Sequence, residues 1–182
     1  MLIHFLLFLV IAFLFSGTSF IYPSFTSQYP RQGIPIHAVK DEWDVARKPC
    51  AELGPEEVVP MLMRALRLND YPYINAGLET VYDWSSGMCR LACGRNVDAF
   101  IQMSKASVFG MCIGTTECLL KDPRLVGNDM FSVTVEIPSA DSRPNRFFLW
   151  QLRKERRPPA AGAWLVHAVI ASDYDGEIRQ GD

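Results

Sequence analysis

The chain holds 182 residues, 49% of them hydrophobic and 12% aromatic, which suits one packed core and excludes a globally disordered chain. A formal charge of -2 and a pI near 5.9 exclude the broad basic footprint of a nucleic-acid binder. Five cysteines are an odd number, so a disulfide framework that pairs all of them is excluded as well.

In chain order, the first element is an address. Leu2 to Phe15, "LIHFLLFLVIAFLF", is almost continuously apolar, and no Asp, Glu, Lys or Arg precedes Arg31. Its length matches the ~7–15 residues of a signal-peptide core better than the ~20 of a spanning helix. Small residues follow at Ser16, Gly17, Thr18 and Ser19, so residues 1–19 read as a signal peptide. Without cleavage, "FSGTSFIY" extends the same segment into a signal anchor, the one route by which this chain touches a membrane. Residues 20–48 open with Ser-, Thr- and Pro-rich sequence that has no acidic residue up to Lys40, the composition of a transit peptide or a disordered linker. The join "GTSF", with Phe20 directly after the small residues, resembles the bipartite presequence of algae whose plastids lie inside the secretory pathway. That resemblance implies a plastid; the competing destinations are secretion and an anchor in the endoplasmic reticulum membrane.

Residues 49–174 read as a single domain, with 175–182 a disordered tail. Pro55, Glu56 and Glu57 open a helix whose first-turn negative charge complements the dipole. Val59, Leu62, Met63 and Leu66 share one face, and the helix stops before Pro72. Pro60 conflicts with a regular start, since it removes a hydrogen bond; the helix either begins later than Pro55 or is kinked. "GLETVYDWSS" predicts a second helix that groups Leu78, Val81, Tyr82 and Ser85. "NVDAFIQMSKA" predicts a third, capped by Asn96, with Val97, Phe100 and Ile101 facing inward. Strand signals follow: "TTECLLKDPRL", the alternating "MFSVTVEIP", a turn at "SADSRPN", the return "RFFLWQLRKE", a loop at "RRPPAAGA" and the last strand "WLVHAVIAS". Three N-terminal helices packed on a curved antiparallel sheet of about four strands make the expected class α+β.

The segments "GPEEVVPMLMRALRLND", "GLETVYDW", "SSGMCRLACGRNVDAF" and "AWLVHAV" together resemble the domain-of-unknown-function family numbered 4864 over roughly residues 50–172. That family is in turn similar to the nuclear transport factor 2-like, or SnoaL-like, cone. The resemblance implies a bent sheet wrapped by helices, often with a cavity at the cone mouth, and it carries no catalytic residues with it. Pro60 and the cysteines of the linking segment depart from the family pattern.

The residues that could carry chemistry are few. Cys89 and Cys93 lie four apart in "WSSGMCRLACGRN", without the second ligand pair a structural zinc needs and without a Cys-x-x-Cys motif. On a helical turn they share a face, as small apolar packers or as a disulfide. His167 is the one histidine of the folded part, with Glu136 and Asp173 as the carboxylates nearest by strand placement. Strand alternation puts Leu165, His167 and Val169 on one face, and Trp164, Val166 and Ala168 on the other. Phe148 and Trp150 share a face with Arg146 and Leu152, opposite Phe147, Leu149 and Gln151, so the strand is apolar on both sides: core, pocket or dimer interface. The basic run Arg153 to Pro159 reads as a solvated hairpin tip. No metal site and no phosphate-binding or other cofactor motif occurs.

These features predict a non-enzymatic domain that binds a small apolar ligand or a partner protein, with Phe148, Trp150 and His167 as the binding residues. Two alternatives stand beside it. One is an isomerase, cyclase or hydratase of the cone type with His167 as general base. The other is an assembly factor that forms a homodimer through its sheet.

Overall fold

In a computed structural model of the chain, residues 34–35, 48–139 and 144–172 are described. The segment read as signal peptide or anchor, most of the transit-like linker and the tail 175–182 lie outside them. Within the described residues the helices come first and the strands after, apart from the two-residue strand Ile34–Pro35.

Helix α1 spans Pro55–Arg67 and buries Val58, Val59, Leu62, Met63 and Leu66. Its start is held by the Glu57 carboxylate, which accepts from the Gly54 amide at 2.8 Å. The helix begins at Pro55 and runs through Pro60 without a break, contrary to the later start weighed above. The carbonyl that loses its helical donor belongs to Glu56, an exposed first-turn residue. Helix α2, Ala76–Asp83, lies across α1. Asn69 links the two: its carbonyl accepts from the Gly77 amide at 2.9 Å and its side-chain Oδ1 from the Leu78 amide at 3.1 Å.

Two further helical pieces complete this layer. A short helix α3, Gly87–Ala92, occupies the segment read only as a linker or helix turn, so the helix count exceeds the expected three. Its cause is local: the Ser86 hydroxyl caps it by accepting from the Cys89 amide at 3.2 Å. Helix α4, Val97–Ala106, starts where Asn96 Oδ1 accepts from the Asp98 amide, as predicted, and buries Phe100 and Ile101. A 3-10 turn, Val108–Cys112, then leads to Gly114, whose amide binds the Leu66 carbonyl at 3.0 Å.

The sheet is antiparallel, in the order β1(Ile34–Pro35), β2(Leu119–Val126), β3(Met130–Ile137), β4(Arg146–Lys154), β5(Trp164–Ser172). The four long strands form the expected meander. Ile34 and Pro35, inside the segment read as linker, pair with Leu120 and Leu119 at its edge. Pro123 sits in β2 at a register shift between Lys121 and Arg124, where the missing N–H breaks no ladder bond. At the opposite edge the chain leaving α2 joins β5: the Val166 amide donates to the Trp84 carbonyl, and the Ser86 amide to the Val166 carbonyl, each at 2.8 Å. The core lies between this sheet and the helices, centred on the fully buried Leu62, Leu78, Trp84, Phe148 and Trp150.

Candidate functional site

The registers divide the sheet into two faces. On the inner face, Val135 is level with Phe148, Val133 with Trp150, and Phe131 with Leu152. Phe109 of the 3-10 turn packs on both aromatic rings, edge-on to Phe148 at 6.4 Å and tilted to Trp150 at 5.9 Å. The structure thus places Phe148 and Trp150, read as ligand-binding residues, in the packed core at 1% and 0% exposure. The helices claim that face because three aromatic rings brought together remove several hundred square ångströms of apolar surface from water.

The outer face is different. Its rows run Leu119–Glu136–Phe147–Ser172, Lys121–Thr134–Leu149–Ile170 and Arg124–Ser132–Gln151–Ala168 across the four strands. Phe147 and Leu149 are half-buried, while Leu119 and Ile170 are 36% and 45% exposed. Lys121 lies 5.8 Å from the centroid of the Phe147 ring and also pairs with Glu136. Glu136 accepts from Asn145 Nδ2 at 2.5 Å as well. Burial raises the Glu136 pKa, but the Lys121 and Asn145 contacts outweigh it and hold the carboxyl below its ordinary range. Arg124 and Arg153 add positive charge at the other end of this face. It is an apolar strip flanked by more cations than carboxylates.

His167 sits at a bulge. Gln151 pairs with Ala168 and Leu152 with Val166, which leaves His167 as the extra residue of β5. The predicted alternation fails here: Val166 and Val169, three residues apart, both oppose inner-face residues, Leu152 and Trp150. The imidazole is half-buried, and burial followed by the charge of Arg153 lowers its pKa. It is therefore a neutral ring at pH 7 with a guanidinium for company. Of its two suggested carboxylates, Glu136 lies four residues along β3 from the row that holds Gln151 and Ala168, about 13 Å away at ~3.3 Å per residue. Asp173 lies outside the described residues. A base oriented by Glu136 is not assembled.

All five cysteines are free thiols; Cys50 stands alone, partly buried against the core, and the other four form two groups. Cys112 and Cys118 are buried, and burial pushes the Cys118 thiol up to about 11 and the Cys112 thiol further. Cys89 and Cys93 lie together on α3, half-exposed and linked by a side-chain hydrogen bond. Among the described residues no cluster of three or more His, Cys, Asp or Glu could hold a metal. A cleft between α1 and α2, lined by Arg64, Leu68, Tyr73 and Glu79 among others, encloses about 80 Å³. Metabolite pockets typically need ~300 Å³ or more. Arg153 and Lys154 of the basic run end β4 and only its remainder enters the turn to β5, where Arg156 is 79% exposed in its side chain and pairs with Asp129 at 2.7 Å. Short range in sequence could not reveal the outer-face strip, because its residues come from four strands and only the register aligns them.

No family model matches this sequence, and no curated protein or solved structure matches it either.

Proposed function

We propose that this domain is a non-enzymatic binding module that docks a partner protein on the outer face of its sheet. The observation that carries this reading is the strip Leu119, Leu149 and Ile170, apolar on a face where, among the described residues, Lys121, Arg124 and Arg153 outnumber Glu136. Of the two occupants expected from the sequence, a protein fits this geometry better than a small apolar ligand. The outer rows span four strands, and the inner aromatics are already packed. The matching partner presents apolar side chains beside carboxylates.

Kinship with the 4864 family and its cone fold, and delivery to a plastid through the secretory pathway, belong to the same proposal. Both rest on the sequence motifs. A fluorescent fusion of residues 1–48 tests the destination: uniform secretion removes the plastid reading.

The docking face is tested with photo-crosslinking residues placed at Ile170 and Leu149, and at the exposed Val108 as a control. The expected result is one partner captured from both sheet positions and not from Val108. Once purified, that partner binds Ile170→Glu at least tenfold more weakly than wild type. Equal capture from Val108, or undiminished binding by Ile170→Glu, overturns the reading. If the captured partner is a second copy of the chain, the homodimer alternative takes its place. The enzyme alternative keeps one observation in its favour, a neutral imidazole at His167. Turnover on a metabolite panel that is lost in His167→Ala would restore it.

A further inference from the structure

We propose that Cys89 and Cys93 form a thiol–disulfide exchange site, in which Cys89 attacks and Cys93 resolves, so that the pair closes reversibly into an intrahelical disulfide. The site is independent of the docking face. It stands first on placement. Helix α3 has no fully buried residue, and Cys93, at its end, is only partly buried against the core. Both thiols are half-exposed, unlike Cys112 and Cys118, and they hydrogen-bond to each other. Arg90 brings its positive charge alongside Cys89. Arg90 is held in place by its own bonds to the Tyr82 carbonyl at 3.0 Å and the Asp83 carbonyl at 2.6 Å.

The same contacts divide the roles. The Cys93 hydrogen bond, helped by Arg90 and opposed by burial, brings the Cys89 thiol down to about 7. Cys93, which supplies that bond, is pushed well up. A thiol that is about half ionised at neutral pH is near the optimum for attack on a disulfide, since a lower pKa costs nucleophilicity. Against an ordinary cysteine of pKa ~8.5, Cys89 carries roughly fifteenfold more thiolate at pH 7, which a Brønsted slope of ~0.4–0.5 reduces to about a threefold faster reaction.

The chemistry balances with a low-molecular-weight disulfide such as oxidised glutathione as oxidant. The Cys89 thiolate attacks one sulfur, the old S–S bond breaks, one glutathione leaves as thiolate, and Cys89 holds the other as a mixed disulfide. Cys93 then gives up its proton to solvent and attacks Sγ of Cys89. The second glutathione leaves as thiolate, so the oxidant has gained the two electrons the protein lost, and the thiol protons pass through solvent to the released thiolates. Closing the bridge requires the two Cβ atoms to move from ~5–6 Å, normal one helical turn apart, to ~3.5–4.5 Å. The end of α3 can supply that movement. Cys93 is the C-cap, with φ -94 and ψ 16, and the left-handed Gly94 and Arg95 follow it.

The test uses the full chain with its five cysteines, reduced and then exposed in native buffer to oxidised glutathione, with peptide mapping by mass spectrometry. The expected product is a Cys89–Cys93 bridge without bound glutathione, while C93S stops at glutathione on Cys89. Iodoacetamide labelling of Cys89 should show an inflection near pH 7 and a rate about threefold that of a free cysteine at neutral pH. Glutathione remaining on Cys89 of the wild-type chain, or no oxidation at Cys89, overturns the proposal. Those readouts come from the wild type, so the test stands even if C93S fails to fold.

Discussion

Replacing Gly77 by alanine tests how closely α1 and α2 approach. A Cβ built on Gly77 would stand 2.1 Å from the carbonyl oxygen of Ala65 and 2.9 Å from Cα of Asn69, both of them backbone. Ordinary C···O contacts start near ~3.3 Å, so the helices must part by about 1 Å. That shift disturbs the Gly77–Asn69 and Leu78–Asn69 hydrogen bonds and the seam between Leu66 and Leu78. Overpacking of this kind costs about 1–3 kcal/mol, against a gain of roughly 0.5–1 kcal/mol from removing a helical glycine. The rigid backbone on both sides favours the upper part of that range, and the net loss is about 2 kcal/mol. At ~4 °C per kcal/mol for a domain of this size, the melting temperature falls by roughly 8 °C. Gly87→Ala is the control, because no atom lies within 4 Å of its added Cβ. It should leave stability unchanged or raise it by less than ~1 kcal/mol. The assay is thermal unfolding followed by circular dichroism. A Gly77→Ala variant that melts within 2 °C of wild type, taking roughly half a kcal/mol as the smallest loss the argument allows, would falsify the close-approach reasoning.

Trp150 Nε1 is buried with no acceptor among the described residues. Trp150→Phe removes that unpaired donor, worth ~1–3 kcal/mol, while opening a cavity, so the net change by urea unfolding should stay within about 1 kcal/mol; a loss above 3 kcal/mol refutes it. Glu136 has a folded pKa below its ordinary 4.5, so its contribution is complete above pH 4.5 and fades as pH falls through the lower folded value. Glu136→Gln should cost about 1–2 kcal/mol at pH 7, and less in acid; a gap that persists unchanged at pH 3 counts against the Lys121 pairing. His167 also has a depressed folded pKa, which makes the unfolded chain the better proton binder below pH 6.5. Stability should therefore start to fall there, well before Glu136 titrates, and His167→Gln should flatten that limb of the pH–stability curve. A variant with the wild-type slope between pH 6.5 and 5 places His167 in water instead.

Much of the architecture was legible because it depends on short-range periodicity. Val133 and Val135 alternate with polar neighbours in any strand, and Asn96 followed by an apolar helical stripe caps a helix wherever it stands. Helix α3 was missed for the opposite reason. It buries nothing, so it has no stripe, and its start depends on the Ser86 cap and its hold on Arg90 reaching back to Tyr82 and Asp83. The glycine of "GLETVYDW" was visible as a motif, but only the Ala65 carbonyl above it explains why no side chain is allowed.

Taken by itself, the sequence determined the class: helices before an antiparallel meander, with the bounds of the last three strands to within a residue. Tertiary structure decided which face of the doubly apolar β4 is core. Phe109, from a 3-10 turn about forty residues earlier, covers Phe148 and Trp150 and leaves Phe147 and Leu149 on the other side. It also decided where His167 points, since one extra residue in β5 reverses every later side chain relative to simple alternation. Both outcomes rest on contacts between segments far apart in the chain, and those contacts have no counterpart in local sequence pattern.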